Sequence, residues 1–367
     1  MMTTMPFILK ELCLEVTNSC PMECRHCSSC SVKVGKETCY QMPISTAKNV
    51  VQEFTELGGA ILEISGGEPL TYPFLYELCD YAVSLNLDIR LYTSGILSAD
   101  QRAFSSITLS EAELLKEHGV NKVIFNLQGA TPETHQKIVG VSGTHSLTTE
   151  GIKNTKAVGI WTGVHFVPMK PNFLELPELA KLCLTLGIDE FALLRFVPQG
   201  RGKENRDWLE LTSNQFEDLL HSVLQLMEKH PKLNIRTGCP MDFLSLYDPG
   251  IKPHQCKAGL CTCTIAPTGE VLPCPGFKNA SDFIAGNIYQ KSLAFIWQNG
   301  FQSLREFNYK NITGPCQVCR DLNKCFGRCA AQRHIARGDI YKGPDPACPK
   351  KEEISFVDLG LSALRFK

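Results

Sequence analysis

Eighteen cysteines constrain this 367-residue chain more than any other feature, because most of them crowd into two stretches, Cys20 to Cys30 and Cys256 to Cys348. Disulfide cysteines are scattered so that they staple distant loops, and they belong mainly to small secreted chains. Cysteines packed into two short stretches of a chain this long point instead to metal. Nothing marks the chain for export. Met1 to Lys10 has neither a basic leader nor an apolar run of signal-peptide length, and no later stretch approaches the roughly 20 apolar residues of a membrane span. The expected location is the cytoplasm, where thiols stay reduced. A net charge of −1, without basic arms or acidic tracts, leaves no electrostatic footprint for nucleic acid or an anionic membrane, and neither is expected as a partner.

One hydrophobic core is not expected to serve 367 residues, since single cores stop growing near about 250–300 residues. Between residues 11 and 228, short apolar β-rich runs alternate with amphipathic helical stretches, which is the pattern of a parallel sheet wrapped by helices. The spacing predicts strands at Leu12–Val16, Ile61–Ile64, Ile89–Tyr92, Lys122–Leu127, Thr162–Val167 and Phe191–Phe196. Helices are expected between them at Ser45–Leu57 with Ser45 as N-cap, Phe74–Leu85, Ser110–His118, Glu150–Val158 and Pro177–Leu186. Six units rather than eight give an α/β fold of the partial (β/α)6 TIM-type barrel class, open at one side. The barrel is assigned residues 1–212, and a bridging helix (Asn214–Lys229) with its linker residues 213–250. A small cysteine-rich domain takes residues 251–367. That last region shows only a short hairpin signal, Thr264–Leu272 turning at Thr268-Gly269, and is expected to depend on metal for stability.

Directly after the first predicted strand stands Cys20-Pro-Met-Glu-Cys24-Arg-His-Cys27, a C-x3-C-x2-C loop. Three thiolates on one loop can hold three irons of a [4Fe–4S] cube and leave the fourth open to an external ligand. The same thiolates with His26 would also make a four-ligand zinc site, so spacing alone leaves both open. Cys30 adds a further C-x2-C step and a conceivable ligand swap. After the second strand comes Ser65-Gly66-Gly67-Glu68-Pro69, where glycines let backbone approach a ligand and a carboxylate can pair with an ammonium.

Loop and segment together resemble the radical S-adenosylmethionine (SAM) superfamily, in position along the barrel as well as in spacing. The resemblance implies that Cys20, Cys24 and Cys27 hold a cluster whose open iron chelates SAM, that SAM is reductively cleaved to a 5′-deoxyadenosyl radical, and that Gly66, Gly67 and Glu68 bind its methionyl amino group. Tyr92-Thr93-Ser94-Gly95 and Asn126-Leu127-Gln128-Gly129 stand where the family places further cofactor contacts, which suggests Ser94 and Asn126. Arg195-Phe-Val-Pro-Gln-Gly-Arg201 resembles a stretch of the same branch, with Arg195 expected to hold the SAM carboxylate.

The second constellation runs Cys256-x12-Gly269-x4-Cys274, then Cys316-x2-Cys319-x5-Cys325-x3-Cys329, then Cys348. It is similar to the SPASM domain at every spacing, although paired zinc sites also use C-x2-C steps. The resemblance implies two auxiliary [4Fe–4S] clusters, hence three in all. Cys256, Cys261, Cys274 and Cys329 would hold one, with Cys261 preferred to Cys263, and Cys316, Cys319, Cys325 and Cys348 the other. Eight ligands would saturate both. Cys13, Cys79 and Cys183 read as small core residues, while Cys39 and Cys239 are left undecided. His118 and His221 read as helix-surface residues, and His135 and His165 lie nearer the barrel mouth, where imidazoles can move protons.

Relatives with both domains mostly modify peptides, so the leading expectation is an oxidative radical enzyme of the ribosomal-peptide-maturase type, for example a crosslinking one. The implied partners are a peptide or protein substrate, with or without a separate recognition protein, and a flavodoxin- or ferredoxin-type electron donor. Few residues precede the first strand, so no N-terminal peptide-recognition domain is expected. Pro275-Gly276 follow Cys274 where sulfatase-maturing relatives carry a catalytic Asp, which disfavours that reaction. Two alternatives stand beside this reading: a dehydrogenase or modifier of a small metabolite, and a non-catalytic iron–sulfur electron carrier. The carrier has no use for an open-iron loop joined to a Gly-Gly-Glu-Pro segment.

Overall fold

Alternation along the first strand shows how this sheet is built. In β1 (Glu11–Thr17) Leu12, Leu14 and Val16 are fully buried under helices, while Cys13 and Glu15 take the opposite, inward face. The computed structural model describes residues 7–29, 31–100 and 103–350, so Cys30 lies outside the described residues. Six more strands run parallel to β1: β2 (Ile61–Gly66), β3 (Asp88–Thr93), β4 (Val120–Asn126), β5 (Trp161–Phe166), β6 (Glu190–Leu193) and β7 (Ile235–Thr237). β7 was not foreseen, because three residues are too few to show a period.

The helices cover the outer face: α1 (Ile44–Glu56), α2 (Leu75–Ser84), α3 (Leu109–Glu117), α4 (Pro132–Val139), α5 (Thr144–Ala157), α6 (Leu176–Thr185) and α7 (Ser213–Lys229). Expected and observed bounds differ at most places by one or two residues, α5 beginning several residues earlier than expected. The N-cap of α1 differs from the expected one: it is Pro43, which makes no side-chain cap bond, and Ser45 lies inside the first turn. A proline there presets the helical entry angle without a hydroxyl. α3 and α7 carry full capping boxes, Thr108 with Glu111 and Thr212 with Gln215.

The larger departure concerns the second region. Its hairpin, β8 (Thr262–Ile265) and β9 (Glu270–Leu272), does not stand apart. β8 pairs in parallel with β1, Leu12 opposite Cys263, so the sheet runs β7-β6-β5-β4-β3-β2-β1-β8-β9-β10, with β10 at Gly286–Asn287. The helix α8 (Leu293–Asn299) packs on α1, and Ile265, Val271, Ile296 and Trp297 belong to the barrel's own core. Beyond Phe301 the chain forms short helical turns and one longer helix, α9 (Ala330–Arg337). No helix among the described residues is long and apolar enough to cross a membrane.

Candidate metal centre

Cys20, Cys24 and Cys27 leave β1 on one loop at the strand's C-terminal end, where α/β sites lie. The loop is braced from outside. Arg201 donates from Nε to the Cys24 carbonyl at 2.9 Å, from one terminal nitrogen to the Ser31 carbonyl at 2.6 Å, and from the other to Ser31 Oγ at 3.0 Å. Glu23 and Arg25 backbone N–H groups donate to Val139 and Ile138 carbonyls at the end of α4. Burial pushes the Cys24 thiol up to about 12, neighbouring Cys27 adding to it, and burial with Cys24 and Glu68 nearby raises the Cys20 thiol well above its ordinary value. Buried thiols in mutual reach stay protonated until a cationic centre draws off their protons, which is the behaviour of a metal or cluster site. Among the described residues no three His, Cys, Asp or Glu converge as on a single ion. His26 lines the same cavity, its Nδ1 without a partner and its imidazole held neutral, down at about 4, chiefly by burial. A thiol set arranged around a space suits a cube better than a point-like zinc ion.

The Gly66-Gly67-Glu68 segment is stitched to this loop. Gly67 N donates to the Thr17 carbonyl at 2.6 Å and Glu68 N to the Ser19 carbonyl at 2.7 Å. A Cβ on Gly66 would collide with the Thr17 carbonyl and one on Gly67 with the Ser19 carbonyl, and Gly66 has φ +133°, so both positions require glycine. Glu68 plays a different part from the one expected of it. Its buried carboxylate accepts from Thr93 Oγ1 at 2.6 Å, Ser94 N at 2.7 Å, Ser94 Oγ at 2.6 Å and Leu70 N at 3.2 Å. It ties the ends of β2 and β3 together, with little capacity left for a ligand ammonium. Burial raises its carboxyl above the ordinary range, and those four donors pull against that rise.

Loop and segment open on a cavity of about 510 Å³ over the inner face of the sheet. Ser94 and Asn126 both line it as expected, although Ser94 Oγ is committed to Glu68 and Asn126 Oδ1 accepts from Gln128 Nε2 at 2.6 Å. Arg195 is the clear exception. It forms a buried ion pair with Asp345, at 2.6 and 2.8 Å, lies over the Phe216 ring and does not line this cavity. The functional weight of its stretch falls on Arg201, which the sequence reading left without a role.

The cavity is also lined by Glu63 and Tyr92, to which sequence reasoning assigned no role, and by His165, expected near the barrel mouth. Glu63 accepts from the Tyr92 hydroxyl at 2.7 Å, and burial raises its carboxyl. His165 lies 5.2 Å from the Tyr92 ring and 3.0 Å from Arg236, its pKa brought down to about 3 by burial and that guanidinium. Cys13, placed in the core by sequence, lines the cavity instead. Strand alternation was the available signal, since residues 11, 13 and 15 share the face of residues 63 and 65.

The second constellation divides in two. Cys256, Cys274 and Cys329 lie within mutual electrostatic reach, and Cys261 joins them through Cys256. Cys263 faces no other thiol among the causes that act on it: it is buried in β8, raised by burial and eased only by Arg305. Cys316, Cys319, Cys325 and Cys348 form the other group, Cys316 pushed to about 11 and Cys348 to about 12, each mainly by burial and then by its neighbours. Cys79 and Cys183 are buried core residues, as expected. Cys39 donates to the Lys33 carbonyl at 3.2 Å. His118 pairs with Asp80 at 2.6 Å on the helix surface.

Comparison with known proteins places a family domain over each of the two cysteine-bearing regions. Residues 14–183 match the family model of the radical SAM superfamily, and residues 256–321 match an iron–sulfur cluster-binding domain, SPASM. The chain is 28% identical to an AdoMet-dependent heme synthase of Methanosarcina barkeri, over 91% of this chain and 94% of that one. It is 29% identical to a PqqA peptide cyclase of Streptomyces rochei, over 95% and 92%. Its fold matches the crystal structure of Streptococcus suis SuiB bound to precursor peptide SuiA, with TM-score 0.72 at 19% identity, over 94% of this chain and 76% of that one.

Proposed function

This chain belongs to the radical SAM superfamily and carries a SPASM domain, and from that premise we propose that it oxidatively modifies a peptide. The observation that carries the reading is the end-to-end similarity to a PqqA peptide cyclase, which spans both cysteine regions. Cys20, Cys24 and Cys27 are assigned the SAM cluster, whose chemistry is one-electron cleavage of SAM to a 5′-deoxyadenosyl radical. Gly66 and Gly67 keep the ligand close to backbone, Glu68 fixes that segment to β3, and Ser94 and Asn126 contribute polar surface. Cys256, Cys261, Cys274 and Cys329 are assigned one auxiliary cluster and Cys316, Cys319, Cys325 and Cys348 the other. With every auxiliary iron ligated by protein, their suitable task is to accept the second electron of a two-electron oxidation. A small acidic flavodoxin- or ferredoxin-type protein is the proposed donor for the first cluster.

The similarity to a protein named a heme synthase favours a second reading, in which the cavity admits a small molecule related to haem. One experiment separates the two. Anaerobically reconstituted protein is incubated with SAM, reductant and either short peptides encoded beside its gene or haem precursors, and products are weighed by mass spectrometry. The peptide reading expects a loss of about two hydrogens from a peptide with matching 5′-deoxyadenosine. Modification of the macrocycle alone would replace it. A Cys20, Cys24, Cys27 triple alanine variant should abolish cleavage of SAM and lose about four of about 12 irons.

A further inference from the structure

Among the described residues that line the cavity, two side chains are permanent cations, and they stand far apart in the strand order. Arg236, on β7, is occupied by Glu190 at 2.8 Å and by His165 at 3.0 Å. Lys278 comes from the second domain, four residues after Cys274. Its side chain is only 10% exposed, and Nζ donates to Glu15 Oε1 on β1 and to Ser29 Oγ, two residues beyond Cys27 on the cluster loop. An ammonium has three N–H donors. Two are taken by protein, which leaves the third for the cavity that Lys278 lines. Burial works against the charge of Lys278, but its neighbours, the Glu15 carboxylate first among them, more than offset burial and keep the ammonium protonated.

We propose that Lys278 binds the methionyl carboxylate of SAM, so that the second domain supplies a direct contact to the cofactor of the first. The inference rests on the reading of Cys20, Cys24 and Cys27 as the SAM cluster site. A methionyl group chelated at that loop must bring its carboxylate within a few ångströms of the thiols; of the two cations bonded to the loop, Arg201 and Lys278, it is Lys278 that lines the cavity. Arg195, the other candidate, is closed off by Asp345. A buried ammonium aimed at a carboxylate makes a charge-assisted hydrogen bond, stronger than a neutral one and poorly replaced by water.

The test is equilibrium binding of SAM to the reconstituted full-length protein, measured anaerobically by calorimetry and by the change in the spectrum of the reduced cluster. Lys278→Met should weaken SAM binding about tenfold or more, and Lys278→Arg should restore most of it. Decarboxylated SAM, which lacks the carboxylate, should bind wild type and Lys278→Met equally. Lys278→Met leaves Glu15 buried without its partner, so the double variant Glu15→Gln/Lys278→Met removes the pair without stranding a charge and should show the same loss. Wild-type affinity in either methionine variant, or an equal loss for decarboxylated SAM, would overturn the inference while leaving the cluster assignment intact. A wild-type protein that holds the cluster but binds no SAM would sink both.

Discussion

Residues 262–301 and 302–348 both carry glycines, prolines and cysteines, yet they are held in different ways. The first stretch extends the barrel's sheet through β8, β9 and β10 and buries Cys263, Ile265, Val271, Leu293, Ile296, Trp297 and Phe301 in the barrel's core. Trp297 Nε1 donates to the Phe7 carbonyl at 2.6 Å, fastening it to the chain's other end. The second stretch has a thin apolar set, Leu304, Ile312, Ala330, Ala331 and Ile340, and buries charge instead: Arg328, Arg333 and Asp345. Arg333 Nε donates to the Ile340 carbonyl at 2.7 Å, and one of its terminal nitrogens serves both the Gly327 and Arg328 carbonyls while the other has no partner among the described residues. Poverty in apolar runs thus has two outcomes. A short strand can borrow a core by joining an existing sheet, whereas turns without strands need polar networks and metal to order them.

The largest effect follows from that contrast. Removing iron with a chelator should leave 302–348 open to protease while 262–301 stays as protected as the barrel, as read from the cleavage fragments. Equal cleavage throughout 262–348 would break the comparison. A finer cut comes from two cysteines one residue apart. Cys261→Ala should lose about four irons, whereas Cys263→Ala should keep its iron and cost about 1 kcal/mol as a small core truncation. Iron content and urea unfolding of both variants decide it, and the reverse pattern would move the ligand into β8.

The same contrast explains what the sequence made legible. Cysteine spacing and the Gly66-Gly67 step are local, and the barrel's strands and helices repeat at their own periods, so these were read from residues 11 to 228 with small errors. Side-chain partners far apart in sequence were not legible. Arg195 looked like a ligand contact because nothing nearby could show that Asp345, 150 residues on, would claim it. Lys278 carries no motif, and its role depends on β8 lying beside β1. Glu68 kept its predicted position, but its hydrogen-bond capacity was spent on Thr93 and Ser94, which only the packing of β2 against β3 reveals.

Asp345 therefore offers the next test. Arg195 and Asp345 are 8% and 1% exposed at the side chain, and Asp345 also accepts from Cys329 N at 3.1 Å. Asp345→Asn would strand a buried guanidinium beside the cysteine group, at a cost of about 3–5 kcal/mol. The loss should appear in urea unfolding, with SAM affinity preserved if Arg195 is structural. A stable Asp345→Asn protein that had lost SAM binding would return Arg195 to the cofactor.

A smaller effect than the loss of the Asp345 carboxylate lies in the barrel, where stability depends on a neutral histidine rather than on metal. His135 is 1% exposed, and its Nδ1 accepts the Gln128 backbone N–H at 3.1 Å, so the proton of the neutral ring sits on Nε2, which has no partner. Burial, then His145 with its ring 5.5 Å away, then His26, bring its pKa down to about 3. In the unfolded chain it titrates near about 6.5. As pH falls through that value the unfolded state takes up a proton that the folded state refuses, so stability falls from about pH 6.5 down to about pH 3 and is fully present above that window. Each pH unit within it costs about 1.4 kcal/mol, or about 2 kcal/mol by pH 5. His135→Asn keeps an acceptor for the Gln128 N–H but cannot titrate, so its stability should fall less than that of wild type between pH 7 and pH 5, by about that amount. Urea unfolding at the two pH values measures the difference, and identical losses in both proteins would mean that the barrel's acid sensitivity arises elsewhere.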